Sequence, residues 1–382
     1  MLAVPLQHYG LDFQKILIMI YSLIKIGLAE LSIRWRETGL MAGVVAVSLL
    51  GVLLLDAYRS GLEDRYSLGP TAFLVAQQSD TLGELHGSRL PASIVEQLQE
   101  KGISQVVPEI NTIIGTSPEN ALLLRGVPLN NYTQVETFQM ISGRPLQPGD
   151  QPRLAMIGIG LSETKGLGPG DTLTVRGRPF TIIGVFSVGT YVDFETWIPL
   201  TEAQRLLGWG DDVSVVLFPA GEGLNPGESL SIGIDIVPRG QAAQNVLDEW
   251  SPLLNLFGVV ALTLGFAAAL SLASMLWRLA WLRRRQLAIL RSLGYRRLNL
   301  AYYLFVQSVG ITLLAYTMAL IGALIFTGAS RIQSIGMTID PNVNLAGAAL
   351  TLMAAIVIVI VASIVPAWRL AQLNLLELLR AE

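Results

Sequence analysis

Residues 283–300 read RRRQLAILRSLGYRRLNL. Six arginines fall within these eighteen residues, in a chain of 382 residues that is 52% hydrophobic and only 14% charged. Soluble domains carry roughly 25% charged residues, so the composition points to a membrane protein. Long apolar runs flank the arginines: LLNLFGVVALTLGFAAALSLASMLW at 253–277 before them and 300–326 after. Two more, GLMAGVVAVSLLGVLLL at 39–55 and the run 345–367, lie further out, and none of the four contains Asp, Glu, Lys, Arg or His. At about 1.5 Å rise per residue the shortest spans about 25 Å, enough for a bilayer with local thinning.

Charge sets the topology. Residues 278–299 hold seven arginines and no acid, and Lys15, Lys25, Arg34 and Arg36 precede the first run. Residues 57–252 carry 12 basic and 22 acidic residues, a net of −10. Lys and Arg near span ends stay cytoplasmic. The expected organisation is therefore a cytoplasmic or interfacial segment 1–38, span one at 39–56 and an extracytoplasmic domain at 57–252. Span two follows at 253–277, a cytoplasmic segment at 278–299 and span three at 300–326. A short outer loop 327–344, span four at 345–367 and a cytoplasmic tail 368–382 complete the chain. Lys15 and Lys25 bracket only nine residues of ILIMIYSLIKIGL, too few to cross, so this segment reads as an interfacial amphipathic helix.

The 57–252 insert shows mixed α and β patterning. RLAMIGIG (153–160) reads as a buried strand, and DTLTVRGRPFTIIGVFSV (171–188) as two strands about Arg176-Gly177-Arg178. SLSIGIDIV (229–237) alternates as one strand. PASIVEQLQEK (91–101) reads as a short amphipathic helix, and Thr201-Glu202-Ala203-Gln204 has the form of a capping box. The flanks AYRSGLEDRY (57–66) and GQAAQNVLDEWSP (240–252) continue helical patterns toward the membrane, as a stalk would. The fold class is thus four transmembrane helices with a large α+β extracytoplasmic domain between the first and second.

Catalytic chemistry finds little purchase. The absence of cysteine excludes disulfides and thiolate sites. Of the two histidines, His86 lies in the polar loop GELHGSRL, where Ser88 lacks a nucleophile elbow. Neither histidine has a ligand set at metal-binding spacing. The stretch GLSETKG (160–166) lacks the order of a phosphate-binding loop. No catalytic residue, cofactor site or metal site is assigned. The uncharged spans argue against an ion-coupled carrier, since intramembrane charges mark such pathways. Gln307 with Ser308 is their strongest polar group. Ala261, Gly265, Ala269 and Ala273 form a small-residue stripe on span two, and Ala315, Ala319 and Ala323 do the same on span three, permitting close helix packing.

Within the arginine-rich segment, Leu287, Leu290 and Leu293 recur at helical spacing, and Gly294 suits a helix end. A solvated charge run has no need of that spacing. An apolar face on a cytoplasmic elbow suits a docking partner.

These residues resemble the ABC-transporter permeases of the FtsX/macrolide-exporter (MacB-like) type. RRRQLAILRSLGYRR (283–297) is similar to the family's R-E-I-G-I-L-R-A-L-G-A-x-R, with Gln286 in place of Glu. PAWRLAQLNLLELLRAE (366–382) is similar to its C-terminal P-A-x-R-A-x-x-L-x-P-x-E-A-L-R-x-E, with Leu375 in place of Pro. The G-D-x-[IL] turn, V-I-G-V strand and P-L-x-x-A-Q-x-L-L-G helix of its extracytoplasmic core resemble 170–173, 182–185 and 199–208. The resemblance implies a non-catalytic permease subunit that pairs as a dimer with a second copy and docks a separate cytoplasmic ABC ATPase. That ATPase would bind ATP and Mg. The docking set would be Gln286, Leu287, Leu290, Arg291, Leu293, Gly294 and Arg296. It also implies mechanotransmission to the outer domain and handling of an amphiphile (lipid, lipoprotein, peptide or drug) outside the membrane. A periplasmic adaptor and membrane lipids are compatible partners, and no nucleic acid is implied. Some relatives instead signal to a cell-wall hydrolase or a sensor kinase.

Overall fold

The computed structural model describes residues 21–372 apart from 23, 28, 67–71, 116–120, 283–288, 290–296 and 335–336. The chain divides into two compact units, residues 1–60, 254–330 and 342–382 in one, and residues 61–253 with 331–341 in the other.

The first unit is built from four helices long and apolar enough to cross a membrane. They are α1 (Trp35–Tyr66), α6 (Gln241–Leu282), α7 (Arg297–Ala329) and α8 (Leu345–Gln372). The helices outrun their apolar windows: α1 continues to Tyr66, and α6 begins at Gln241, ahead of the apolar run. Their shared core is made of Ala42, Val45, Ala46, Leu49 and Leu53 from α1, Ala268 and Leu272 from α6, Ile311, Ala315, Ala319 and Ala323 from α7, and Ala348, Ala355 and Val359 from α8. Lipid tails are as apolar as leucine, so helices associate here through close van der Waals packing, which small residues permit. The α7 stripe serves this purpose, with Ala315, Ala319 and Ala323 at 1% exposure or less. One polar tie crosses the core, the Tyr316 hydroxyl donating to the Ala348 carbonyl at 2.7 Å.

The second unit is an α/β domain whose strands β1–β11 form one sheet. In chain order its elements are β1 (Phe73–Gln78), α2 (Ser93–Glu100), β2 (Val107–Ile114), β3 (Leu122–Val127), α3 (Tyr132–Val135), β4 (Gln139–Gly143), β5 (Leu154–Gly158), α4 (Ile159–Lys165), β6 (Thr172–Val175), β7 (Arg178–Ser187), β8 (Glu195–Pro199), α5 (Leu200–Leu207), β9 (Val215–Pro219), β10 (Ser229–Ser231) and β11 (Ile234–Pro238). The sheet order is β10-β11-β1-β9-β2-β3-β8-β5-β7-β4, with β6 on β7. Strand β2 joins two halves. Its residues Val107, Pro108 and Glu109 pair with β9, whereas Ile110 to Ile114 pair with β3. Each half has its own apolar core, one around Ile94, Leu98 and Phe218, the other around Ile157, Phe180 and Ile182.

Two local readings change. The helix α5 begins at Leu200, capped by Pro199 with no side-chain cap, so Thr201 sits inside the first turn and no capping box forms. Glu202 instead pairs with Arg205 at 2.6 Å. The stretch 229–237 is a hairpin, since Ile232-Gly233 turns the chain between β10 and β11 and Gly233 has φ 83°. The link between α7 and α8 is more than a loop. Ile332–Ser334 (β12) and Met337–Ile339 (β13) pair antiparallel and belong to the second unit. There the backbone carbonyl of Asp340 lies where a Cβ on Gly61 would stand 2.4 Å away, and Arg65 pairs with Asp340 at 3.1 Å. The Thr338 and Thr164 hydroxyls meet at 3.3 Å.

Candidate functional site

The seven expected docking residues, Gln286, Leu287, Leu290, Arg291, Leu293, Gly294 and Arg296, lie outside the described residues. Helix α6 ends at Leu282 and α7 opens at Arg297, so described helices bracket the segment. Within it, Ile289 is helical and 57% exposed.

Of the expected packing residues, Ala261, Gly265, Ala269 and Ala273 are half-buried, and Ala268 and Leu272 are the α6 residues buried in the four-helix core. A Cβ on Gly265 would make ordinary contact with Ile358 of α8 at 3.6 Å. The α6 stripe therefore edges the core that the α7 stripe fills.

Gln307, fully buried on α7, has a partner the sequence reading did not foresee. Its amide donates to Glu30 at 3.0 Å and to the Tyr303 hydroxyl at 2.8 Å. Tyr303 in turn donates to Glu30. The segment before α1 is thus fastened to the start of α7, the helix that follows the arginine-rich stretch.

His86 is exposed, and Ser88 is spent on structure, donating to the Ser214 carbonyl at 2.5 Å and accepting the Gln78 N–H at 2.9 Å. Among the described residues, no group of three or more metal-ligating side chains is placed to hold an ion.

Six ionisable side chains that the sequence reading missed gather where the sheet halves meet. Arg125 on β3 lies opposite Asn111 of β2 and Trp197 of β8. It stands at 2.7 Å from Glu195, 3.2 Å from Glu136 and 3.5 Å from Glu109. Its Nε is close to Glu195 but off the hydrogen-bonding direction, and Nη2 makes the bond, at 2.9 Å. The Trp197 indole N–H adds a donor to Glu195 at 2.7 Å. Arg239, just after β11, donates to Glu136 and to the Val135 carbonyl. Its Nε has no hydrogen-bond partner, and the closest approach to Glu84 is 3.7 Å. Glu84 accepts the N–H of Gly240, the residue before α6.

Burying charge is costly unless it is paired. Burial pushes the Glu84 carboxyl up to about 7, against the opposing pull of Arg239. Burial also raises Glu109 and Glu195, with Arg125 opposing in both cases. The carboxylates Glu195, Glu109 and Glu136 hold Arg125 well above its usual range although burial alone would lower it. The sequence did carry a signal: a lone arginine inside the apolar strand LLLRGV has to find acids.

Comparison with known proteins follows the same division of the chain. Residues 38–232 match the family model of the MacB-like periplasmic core domain, and residues 257–375 match that of the FtsX-like permease C-terminal region. The chain is similar to the periplasmic region of MacB from Actinobacillus actinomycetemcomitans at 16% identity, over 47% of this chain and 93% of that one, with a TM-score of 0.35. It is also similar to a domain of a putative permease protein from Porphyromonas gingivalis at 14% identity, over 46% and 89%, with a TM-score of 0.29. None of the curated proteins matches this chain.

Proposed function

Because the chain belongs to the FtsX/MacB-like family of ABC-transporter permeases, we propose that it couples ATP hydrolysis by a separate cytoplasmic ATPase to export or extraction of an amphiphile outside the membrane. It is a multi-pass membrane protein, oriented in this reading with both termini in the cytoplasm of a cell (inner) membrane. The ATPase, carrying ATP and Mg, docks on 283–296, and a second permease copy completes a dimer.

One observation carries the reading: α6 runs without interruption for 42 residues, from the end of β11 to Leu282. A hydrogen-bonded helix transmits axial displacement from end to end, because each turn is locked to the next. In this reading, displacement of the arginine-rich segment is passed along α6 toward the α/β domain. Pro252, the single proline inside that helix, removes one backbone hydrogen bond next to the boundary between the two units and supplies a place for bending. The uncharged spans favour a substrate handled outside the bilayer over one conducted through it.

Purification of the chain in mild detergent, followed by native mass spectrometry, tests the proposal. Co-isolation of an ABC ATPase and of lipid or lipoprotein is expected. Isolation with a cell-wall hydrolase or a sensor kinase instead favours signalling without transport, and isolation without any ATPase contradicts both.

A further inference from the structure

The buried charge cluster has four carboxylates, Glu84, Glu109, Glu136 and Glu195, for two guanidiniums, Arg125 and Arg239. Full ionisation would leave a net charge of −2 in a site where every member is less than one-tenth exposed. Geometry separates the four. Glu195 and Glu136 hold the short contacts and neutralise the two arginines. Glu109 and Glu84 stand off at 3.5 and 3.7 Å and are the surplus. The Nε–H of Arg239, buried and unpartnered, faces Glu84 across that gap.

Glu84 is also the member that touches α6. Its loop is held rigidly: Leu82 bridges His86, and the Ser88 hydroxyl is tied to β1 and to Ser214. From that loop the carboxyl reaches the N–H of Gly240, whose φ of 86° belongs to the left-handed region that favours glycine. Ala242 and Ala243 follow, buried at 3% and 1% exposure, in the first turn of α6. The charged or titratable groups that act on Glu84 are Arg239 from the end of β11, Arg125 from β3, Glu109 from β2 and Tyr191 from the turn before β8.

We propose that the cluster is a proton-operated latch, in which the protonation of Glu84 sets how firmly the α/β domain holds the first turn of α6. With a solvent proton on Glu84, the surplus negative charge is halved and the junction stays closed. When Glu84 releases that proton to solvent, burial, with repulsion from Glu109, disfavours the anion more than Arg239 and the Gly240 N–H favour it, and admitting water at the Arg239–Gly240 junction relieves the difference. Burial places this transition near neutral pH, with Glu84 titrating at about 7. The latch thus loosens the domain's grip on α6 in alkaline surroundings and tightens it in mildly acidic ones.

The chain contains no cysteine, so a single Ala243→Cys substitution gives a clean probe. The full chain in detergent is labelled with a neutral maleimide at about pH 6 and about pH 8, with Glu84 intact and with Glu84→Gln; comparing the two at one pH cancels the thiol's own ionisation. The ratio of the labelling rate with Glu84 intact to that of Glu84→Gln should rise about tenfold from about pH 6 to about pH 8. A rate ratio unchanged between the two pH values, or faster labelling of Glu84→Gln at both, overturns the latch. Thermal unfolding without the cysteine gives a second measurement. Glu84→Gln should melt close to the parent at about pH 4 and higher than it at about pH 8; parallel curves overturn the proposal. Failure of Glu84→Gln to fold at about pH 6, where Glu84 is already neutral in this account, also overturns it.

Discussion

The carboxyl of Glu84 accepts the backbone N–H of Gly240, the residue immediately before the helix that carries the chain from the α/β domain into the membrane unit. Burial of this carboxyl, which outweighs the opposing pull of Arg239 and of the Gly240 N–H, makes stability depend on pH. The carboxyl titrates at about 7 in the fold, against an ordinary value of 4.5. The folded state therefore binds more protons than the unfolded one between those values, so stability falls as pH rises through that window. Glu84 should account for about 3 kcal/mol of that loss. Chemical denaturation of the full chain at several pH values checks this, and a stability that increases from about pH 5 to about pH 7 would contradict it.

Arg125 balances three buried acids at once. Arg125→Met leaves Glu109 and Glu195 without their guanidinium, Glu136 keeping Arg239, and should cost about 3–5 kcal/mol, the range for breaking a buried ion pair. Thermal unfolding reports the cost; a change below about 1 kcal/mol would mean that the cluster contributes no stability.

Gly61 lets the chain of α1 pass against the backbone of Asp340. A Cβ there would stand 2.4 Å from the Asp340 carbonyl oxygen and 3.2 Å from the Pro341 Cα, and backbone cannot swing aside as a side chain can. Gly61→Ala should displace the β12–β13 hairpin, break the pair between Arg331 and Asp340, and loosen the backbone at the already exposed Arg331. Limited trypsin digestion should then cut after Arg331 several-fold faster, and an unchanged digestion pattern would refute the contact.

The two alanine stripes should behave differently. Ala319 is 1% exposed in the four-helix core, so Ala319→Leu overpacks it and should cost about 1–3 kcal/mol. Ala261 is half-buried, and Ala261→Leu should be tolerated. Melting of both variants in one detergent decides the order; an equal loss would mean that α6 packs as deeply as α7.

Much of this was legible in the sequence because the physics is local. The four spans follow from uninterrupted apolar length, the strand at 154–158 from a short apolar run, and the strands within 172–187 from alternation around a glycine turn. Ser93–Glu100 follows from helical spacing that buries Ile94 and Leu98. The failures are non-local. One strand was expected at 229–237 because alternation continues across Ile232-Gly233 although the chain reverses there. The Thr201 box is lost because the helix already opens at Leu200, after Pro199 at the N-cap, which leaves Thr201 inside the first turn. The hairpin between α7 and α8 gains its structure from contacts with Gly61, Arg65 and Thr164, residues more than one hundred and fifty positions away. The charge cluster draws on β2, β3, β8 and three connecting segments, and no window of sequence contains it.

The central claim is that ATPase force enters the chain at the leucine-lined segment 283–296. Its most direct test is ATP hydrolysis by the ATPase reconstituted with this permease in lipid vesicles, comparing the parent chain with Leu290→Asp. The account predicts loss of permease-stimulated hydrolysis with normal membrane insertion; undiminished stimulation by Leu290→Asp would contradict it.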